Sequence, residues 1–180
     1  MGPKHSRQEV LAGAVAVAFG EGLSALSFGR VAAQLGISDR MVVYYLPTKQ
    51  DLVTAVLGEV GTQLQAVLAP AFTAPAADHR SLARTAWRAL DGPEADATFA
   101  VFLEALGLAA ARREPYRSVV PVLLDAWIAW AATLLTGTPA RRRAEASAAI
   151  ALLDGLLVVR HVAGRDAADR AARQLGLAGR

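Results

Sequence analysis

The chain has 180 residues, enough for one medium domain or for a small domain joined to a larger one, with a sizeable core in either case. It contains no cysteine, which excludes disulfides and thiolate metal sites and favours a reducing, cytoplasmic location. The net charge is +3, and the basic excess lies within residues 140–180, so bulk charge alone gives little support for a nucleic-acid partner.

The composition predicts an all-α protein. Hydrophobic residues make up 54% of the chain, with much alanine and leucine, which favour helices. No segment shows several residues of apolar and polar alternation between turn signals, which a half-buried strand would require.

Helical periodicity and the positions of glycine and proline predict nine helices. They are expected over residues 7–19, 28–35, 39–46, 49–68, 79–90, 95–112, 116–136, 140–163 and 165–175. Ser27 and Ser38 are placed to cap two short helices, and Thr48 with Asp51 resembles a capping box that opens a long one.

Three segments resemble targeting or membrane signals but have simpler explanations. Residues 10–19 look like the apolar part of a signal peptide, yet they also form an ordinary helix, and Met1-Gly2 fits only a permissive myristoylation pattern. Residues 119–135 approach the length of a membrane span, but Asp125 in the middle and Pro121 near the start favour a buried helix. We therefore predict no membrane partner.

Residues 27–46 have the pattern of a helix-turn-helix. Ala32 is small enough to let a second helix approach closely, and Gly36 permits the tight turn between the two helices. The start of the second helix would then project outward, where such helices enter a major groove, with Asp39, Arg40 and Met41.

Residues 27–52 resemble the signature of the TetR (tetracycline-repressor) family of transcriptional regulators. The matching segments are Gly36-Ile37-Ser38, Tyr44-Tyr45-Leu46-Pro47-Thr48-Lys49 and Leu52. The resemblance implies a helix-turn-helix DNA-binding domain in residues 1–52 and a helical ligand-binding and dimerisation domain in residues 53–180. It also implies a cytoplasmic homodimer without cofactors that binds a palindromic operator as a repressor and is released by a small effector.

The same resemblance assigns roles to individual residues. It places Ser27, Tyr45 and Lys49 at DNA phosphates, and Arg40, Met41 and Tyr44 on the surface that faces the groove. Arg30 and Asp39 are further candidates for DNA contact. Because Asp39 is acidic, it would have to accept a hydrogen bond from cytosine or serve only to stabilise the helix start.

The principal DNA contacts each have a structural alternative. Tyr45 could be an interhelical core residue, and Lys49 a solvated lysine, although a cation in the first turn of a helix opposes the helix dipole and phosphate contact would explain it. Arg40 could be a surface arginine or could read guanine bidentately. The family often has tyrosine at the position of Val43 and a small residue at that of Arg40, so the operator sequence does not follow from the resemblance.

Aromatic residues beyond position 70 are candidates for a ligand pocket, with core packing as the alternative. The resemblance favours a pocket for an apolar or aromatic effector, because TetR-like proteins hold their ligand in this part of the chain. The candidate lining residues are Trp87, Phe99, Phe102, Leu106, Trp127 and Trp130. Glu104 and His161 are candidate polar contacts.

The helix predicted over residues 140–163 carries small and branched residues that could pack against a symmetric copy. The proposed face consists of Ala149, Leu152, Gly155, Leu156 and Val159. Its opening run of three arginines, residues 141–143, is better explained as a solvated surface than as a DNA contact.

Two other functions remain open at this stage, a small helical enzyme or carrier and a helical interaction module. No HExxH zinc motif, phosphate-binding loop or cysteine nucleophile is present, and the three histidines are far apart in the sequence. We therefore expect no enzyme activity and no metal. Salt-dependent binding to a palindromic duplex would separate a regulator from both alternatives.

Overall fold

The computed structural model describes residues 5–178, apart from the side chains of residues 93 and 94, and confirms the predicted all-α class. The helices of this part of the chain are α1 Arg7–Glu21, α2 Phe28–Leu35, α3 Asp39–Tyr45, α4 Lys49–Leu68, α5 His79–Ala89, α6 Pro93–Ala110, α7 Tyr116–Thr133, α8 Pro139–Ala163 and α9 Arg165–Gln174. A single 3₁₀ turn, Ala69–Ala71, follows α4. The Met1-Gly2 pattern lies outside the described residues.

Side-chain caps fix where several helices begin. The Ser27 hydroxyl accepts from the backbone N–H of Arg30 at 3.3 Å. Thr48 and Asp51 accept from each other's backbone N–H at 3.0 Å, so the predicted capping box is confirmed. Ser38 occupies the cap position of α3, but its hydroxyl makes no capping hydrogen bond, so the predicted cap is wrong in that respect.

Gly36 ends α2 in the left-handed conformation, with φ 66° and ψ 33°. A side chain there would be strained, so Gly36→Ala should lower the free energy of unfolding by about 1–2 kcal/mol. Gly58 provides the matched control, because it lies in α4 and an added Cβ would meet nothing within 4 Å. Gly58→Ala should raise the stability by about 0.5–1 kcal/mol. Equal effects in urea denaturation would contradict this assignment.

The chain divides into two compact units, and three helices continue from one into the other. The first unit comprises residues 1–62 and 101–123, and the second comprises residues 63–100 and 124–180. The helices shared by both units are α4, α6 and α7. The functional boundary expected at residue 52 stays a prediction.

The first unit has one apolar core to which its two chain segments both contribute. Burial of a valine or leucine side chain contributes about 1.5–3 kcal/mol, so such a core is its main source of stability. Its buried side chains include Val10, Val17, Leu23, Leu26, Val31, Val42, Leu46, Leu52, Val53, Val56, Val101, Tyr116, Val119 and Val120.

In the second unit, α8 packs against α5 and α9. Arg160 of α8 is buried and pairs with Asp96, while its guanidinium donates to the Leu90 carbonyl at 2.9 Å. The same guanidinium lies 5.4 Å from the centre of the Trp87 ring, a cation–π contact. These contacts compensate the buried charge and join α5, α6 and α8.

Within residues 5–178, two helical segments are long and apolar enough to cross a membrane by length and composition, Lys49–Ala71 and Pro139–Ala163. This test is weak evidence, because core and interface helices of water-soluble proteins also pass it. The segment predicted as a buried helix, residues 119–135, lies mostly within α7 and is only partly buried: Val119 and Val120 are inside, but Val122 is 68% exposed.

Candidate functional site

The helix-turn-helix is formed by α2, the turn at Gly36 and α3. The backbone N–H of Ile37 donates to the Ala32 carbonyl at 3.0 Å, which closes the turn. Val31, Ala32 and Val42 are buried between the helices. The turn and this packing fix the direction of α3 from α2.

The predicted groove-facing residues lie along α3. Arg40 is exposed, Tyr44 is 75% exposed and Met41 is half-buried. Asp39 is exposed as well, but its carboxylate lies 3.6 Å from the position that a Cβ of Gly29 would occupy, near the start of α2. This placement suits the role of Asp39 as a carboxylate that stabilises a helix start.

Ser27 and Arg30 lie at the start of α2, and both have protein partners. Ser27 uses its hydroxyl oxygen as the helix cap, and its hydroxyl proton stays available to a phosphate. Arg30 forms an ion pair with Glu21 of α1. A DNA phosphate would therefore compete with Glu21 for the guanidinium.

Tyr45 and Lys49 lie at the end of α3 and the start of α4. The Tyr45 hydroxyl donates to the His5 carbonyl at 2.6 Å, and the Tyr45 ring meets that of Tyr44 edge-on, with centroids 4.9 Å apart. A phosphate could use the Tyr45 proton only after it is released from His5. Desolvation by burial lowers the pKa of Lys49, and a neighbouring phosphate would favour its charged form.

The connection between α1 and α2 is held by two side chains that sequence reasoning did not place there. The Glu104 carboxylate accepts from the backbone N–H groups of Leu23 and Ser24 at 2.7 and 2.9 Å, and from the Ser24 hydroxyl at 2.7 Å. The Tyr116 hydroxyl donates to the Leu23 carbonyl at 2.9 Å. Glu104 was expected as a polar contact for a ligand, and this expectation is corrected because both carboxylate oxygens are engaged.

The candidate ligand-binding residues fall into separate groups. In the second unit, Trp127 and Trp130 are half-buried and meet edge-on, with centroids 5.1 Å apart. Phe99 is buried and packs against the His161 ring at 5.8 Å, while Trp87 packs under Arg160. The remaining two, Phe102 and Leu106, belong to the first unit.

Asp154 of α8 is a half-buried acidic residue that sequence reasoning did not single out. Desolvation by burial raises its pKa to about 6. Because this burial opposes ionisation, a cation beside the carboxylate would be favourable. Between residues 5 and 178 there is no group of three or more His, Asp or Glu side chains suited to a metal ion.

The residues predicted to pair two copies are not all exposed on α8. Gly155 is exposed, Leu152 and Val159 are half-buried, and Ala149 and Leu156 are buried within their own unit. A stripe of small and branched residues is exposed instead, consisting of Ala144, Ala148, Ala151, Gly155, Val158 and Val162. The face available to a second copy is therefore rotated from the predicted one, with Gly155 shared by both.

Several solved structures are similar to this chain over almost its whole length. The multidrug binding protein EbrR in complex with imidazole is 25% identical, with a TM-score of 0.70, covering 99% of this chain and 97% of that chain. EbrR in complex with proflavin is 28% identical, with a TM-score of 0.67, covering 96% and 99%. A TetR-like transcriptional regulator from Rhodococcus sp. RHA1 is 24% identical, with a TM-score of 0.58, covering 100% of both chains. No protein-family model and no curated protein matches the chain.

An exposed second helix in a helix-turn-helix, joined to further helices in an all-α chain, is the arrangement typical of helical DNA-binding regulators. The signature in residues 27–52 and the fold shared with these structures agree. The fold of the chain is similar to that of TetR-like transcriptional regulators, which agrees with the sequence resemblance.

Proposed function

We propose that the protein is a cytoplasmic, homodimeric repressor that binds a palindromic operator and leaves it when an aromatic cation binds. The observation that carries the DNA-binding role is the surface of α3. Arg40 and the 75% exposed Tyr44 project from a helix whose direction is fixed by the Gly36 turn. Bound across a promoter, such a dimer would block transcription by occlusion.

Base reading and backbone contact fall to different residues in this proposal. Arg40 and Tyr44 enter the major groove, where an arginine can bind guanine bidentately. Ser27, Tyr45 and Lys49 contact phosphates, which position the protein without reading sequence. Tyr45 exchanges the His5 carbonyl for a phosphate oxygen as its hydrogen-bond acceptor.

The exposed stripe on α8 is the proposed dimer interface. Ala144, Ala148, Ala151, Gly155, Val158 and Val162 recur every three or four residues and so lie on one face. Alanine and glycine permit close approach of a symmetry-related α8, while Val162, 78% exposed in the protomer, gains burial. Pairing two α3 helices in this way matches the two-fold symmetry of a palindromic operator.

The proposed effector is an aromatic cation. EbrR, which is 25–28% identical to this chain, has been solved with malachite green, ethidium and proflavin, all of which are aromatic cations. In this chain, Trp127 and Trp130 offer ring surfaces on which an aromatic cation can stack. Trp87, Phe99, Phe102 and Leu106 are retained as further candidates for the lining.

Release follows from the geometry required of two reading helices. They must fit successive major grooves, roughly 34 Å apart, so a displacement of a few ångströms removes one of them from register. Because α4 begins directly after the helix-turn-helix and continues into the second unit, a ligand that shifts its far end would move the reader.

The proposal is tested by selecting duplexes from a random library with the purified protein and then titrating the selected duplex with two variants. Arg40→Ala should cost about 1–3 kcal/mol, mainly at one base pair. Lys49→Ala should instead weaken binding to all duplexes and lower the slope of log K against log salt by about one unit. An Arg40→Ala protein with the wild-type sequence preference would refute the base-reading assignment, and failure of the wild type to retain any duplex would refute the function.

A further inference from the structure

Side chains of α6 and α7 hold the α1–α2 connection, residues 22–27, by hydrogen bonds. These bonds join residues that are 80 to 93 positions apart in the sequence. Glu104 binds two successive backbone N–H groups and the Ser24 hydroxyl. Tyr116 binds the carbonyl of Leu23, so both backbone polar groups of Leu23 are occupied. We call this arrangement the Glu104–Tyr116 clamp.

The approach of the Glu104 carboxylate to the backbone is unusually close. Gly22 has φ 86°, and a Cβ at this position would lie only 2.9 Å from Glu104 Oε2. The Glu104 carboxylate therefore occupies space that a side chain at position 22 would need. Partial burial acts to raise the pKa of Glu104, but hydrogen bonds from Ser24 and Leu23 hold this pKa below its ordinary value. Desolvation by burial, together with the nearby Glu104 charge, raises the pKa of Tyr116 to about 12. At neutral pH the clamp therefore has an ionised acceptor and a protonated donor.

The clamped connection leads directly into the DNA-reading helices. Ser27, three residues beyond Ser24, caps α2, and α2 is joined to α3 by the Gly36 turn. A shift of residues 22–26 would therefore move α2 and α3 relative to α1. The other side of the clamp lies on α6 and α7, helices that continue into the second unit.

We propose that Glu104 and Tyr116 are positioning residues for DNA recognition, through which α6 and α7 set the placement of α2 and α3. This inference rests on the proposed function and extends it, because it names a connection to the DNA reader other than α4. Neither residue contacts DNA. Each acts through Leu23 and Ser24.

The test compares Glu104→Gln with Glu114→Gln on the duplex selected by the wild-type protein. Both changes remove one negative charge from the same unit, but Glu114 is exposed and accepts only from the Ser118 hydroxyl among the contacts of the described chain. Charge loss alone should tighten binding to an anionic duplex slightly, and we expect this for Glu114→Gln. Glu104→Gln should instead weaken binding at least about fivefold, the lower end of ordinary coupling between sites.

The salt dependence separates positioning from loss of a DNA contact. Because no phosphate contact is removed, the slope of log K against log salt should equal that of the wild type in Glu104→Gln. Affinities are calculated from the concentration of active protein. They are measured at a temperature at which circular dichroism shows that every variant is folded. Wild-type or tighter binding by Glu104→Gln would overturn the proposal, and so would a salt slope lowered as in Lys49→Ala.

Tyr116→Phe provides a second test, which also applies if Glu104→Gln does not fold. This variant retains the ring and removes only the hydroxyl that donates to the Leu23 carbonyl. We expect weaker operator binding, again with an unchanged salt slope, and faster amide hydrogen exchange at Leu23 and Ser24. Unchanged affinity in this variant would overturn the role of Tyr116. If the wild-type protein retained no duplex at all, the proposed DNA-binding function would be refuted. That result differs from one in which the wild type binds DNA and the variants bind equally well.

Discussion

Gly155→Glu should convert the protein to a monomer and weaken operator binding at least about 100-fold, because a single reading helix loses the effective concentration supplied by its partner. Gly155 lies in the middle of the exposed stripe on α8, and an added Cβ would meet nothing within 4 Å in the protomer. The substitution therefore leaves the isolated fold intact. In a dimer it would place two carboxylates at the closest approach of the helices.

Gly107→Glu is the matched control for this experiment. Gly107 is also an exposed helical glycine with open space around its Cα, but it lies on α6. Sedimentation at micromolar concentration should show a dimer for this variant and a monomer for Gly155→Glu. A dimeric Gly155→Glu protein would mean that the copies pair through another surface.

Asp154→Asn should raise the free energy of unfolding at pH 7 by about 2 kcal/mol, with an upper limit of about 3 kcal/mol. Burial raises the pKa of Asp154 from 3.8 to about 6 in the folded protein. The folded state therefore binds this proton more tightly than the unfolded state does. The wild type consequently loses stability as the pH rises from about 4 to about 6, and the loss persists above that range. Asparagine cannot ionise, so the advantage of the variant should vanish near pH 4.

Urea denaturation at pH 4 and pH 7 measures this difference, with Asp78→Asn as a control of opposite sign. A backbone hydrogen bond from Ser81 lowers the pKa of Asp78, so its ionised form stabilises the fold and this contribution is lost at low pH. Trp127→Ala should weaken the binding of ethidium, followed by ethidium fluorescence, because it removes one of the two stacking surfaces. Equal ethidium affinity in this variant and the wild type would exclude Trp127 from the effector site.

The helices could be predicted because the signals that begin and end them are local. Gly36 needs a left-handed backbone, and Thr48 with Asp51 forms a box within four residues, so both can be recognised without knowing what packs nearby. Tyr44 was placed on the exposed surface through a family resemblance. Its 75% exposure is compatible with the groove-facing role, which stays a prediction.

The parts that sequence reasoning missed depend on contacts between distant residues. Nothing near Glu104 indicates that Ser24, 80 residues earlier, would occupy its carboxylate. The buried side of α8 was ambiguous for a different reason. Alanine is found on both faces of this helix, so apolar periodicity could not distinguish the buried Ala149 from the exposed Ala148.

The division of the first unit into two separate stretches of sequence means that the helix-turn-helix cannot be cut out of the chain together with its whole core. Val101, Tyr116 and Val119 belong to the same core as Val10 and Val31. A gene fragment that ends at residue 62 would encode the helix-turn-helix without part of its own core. A fusion of residues 1–62 to another sensor would therefore have to replace the side chains that residues 101–123 contribute to this core.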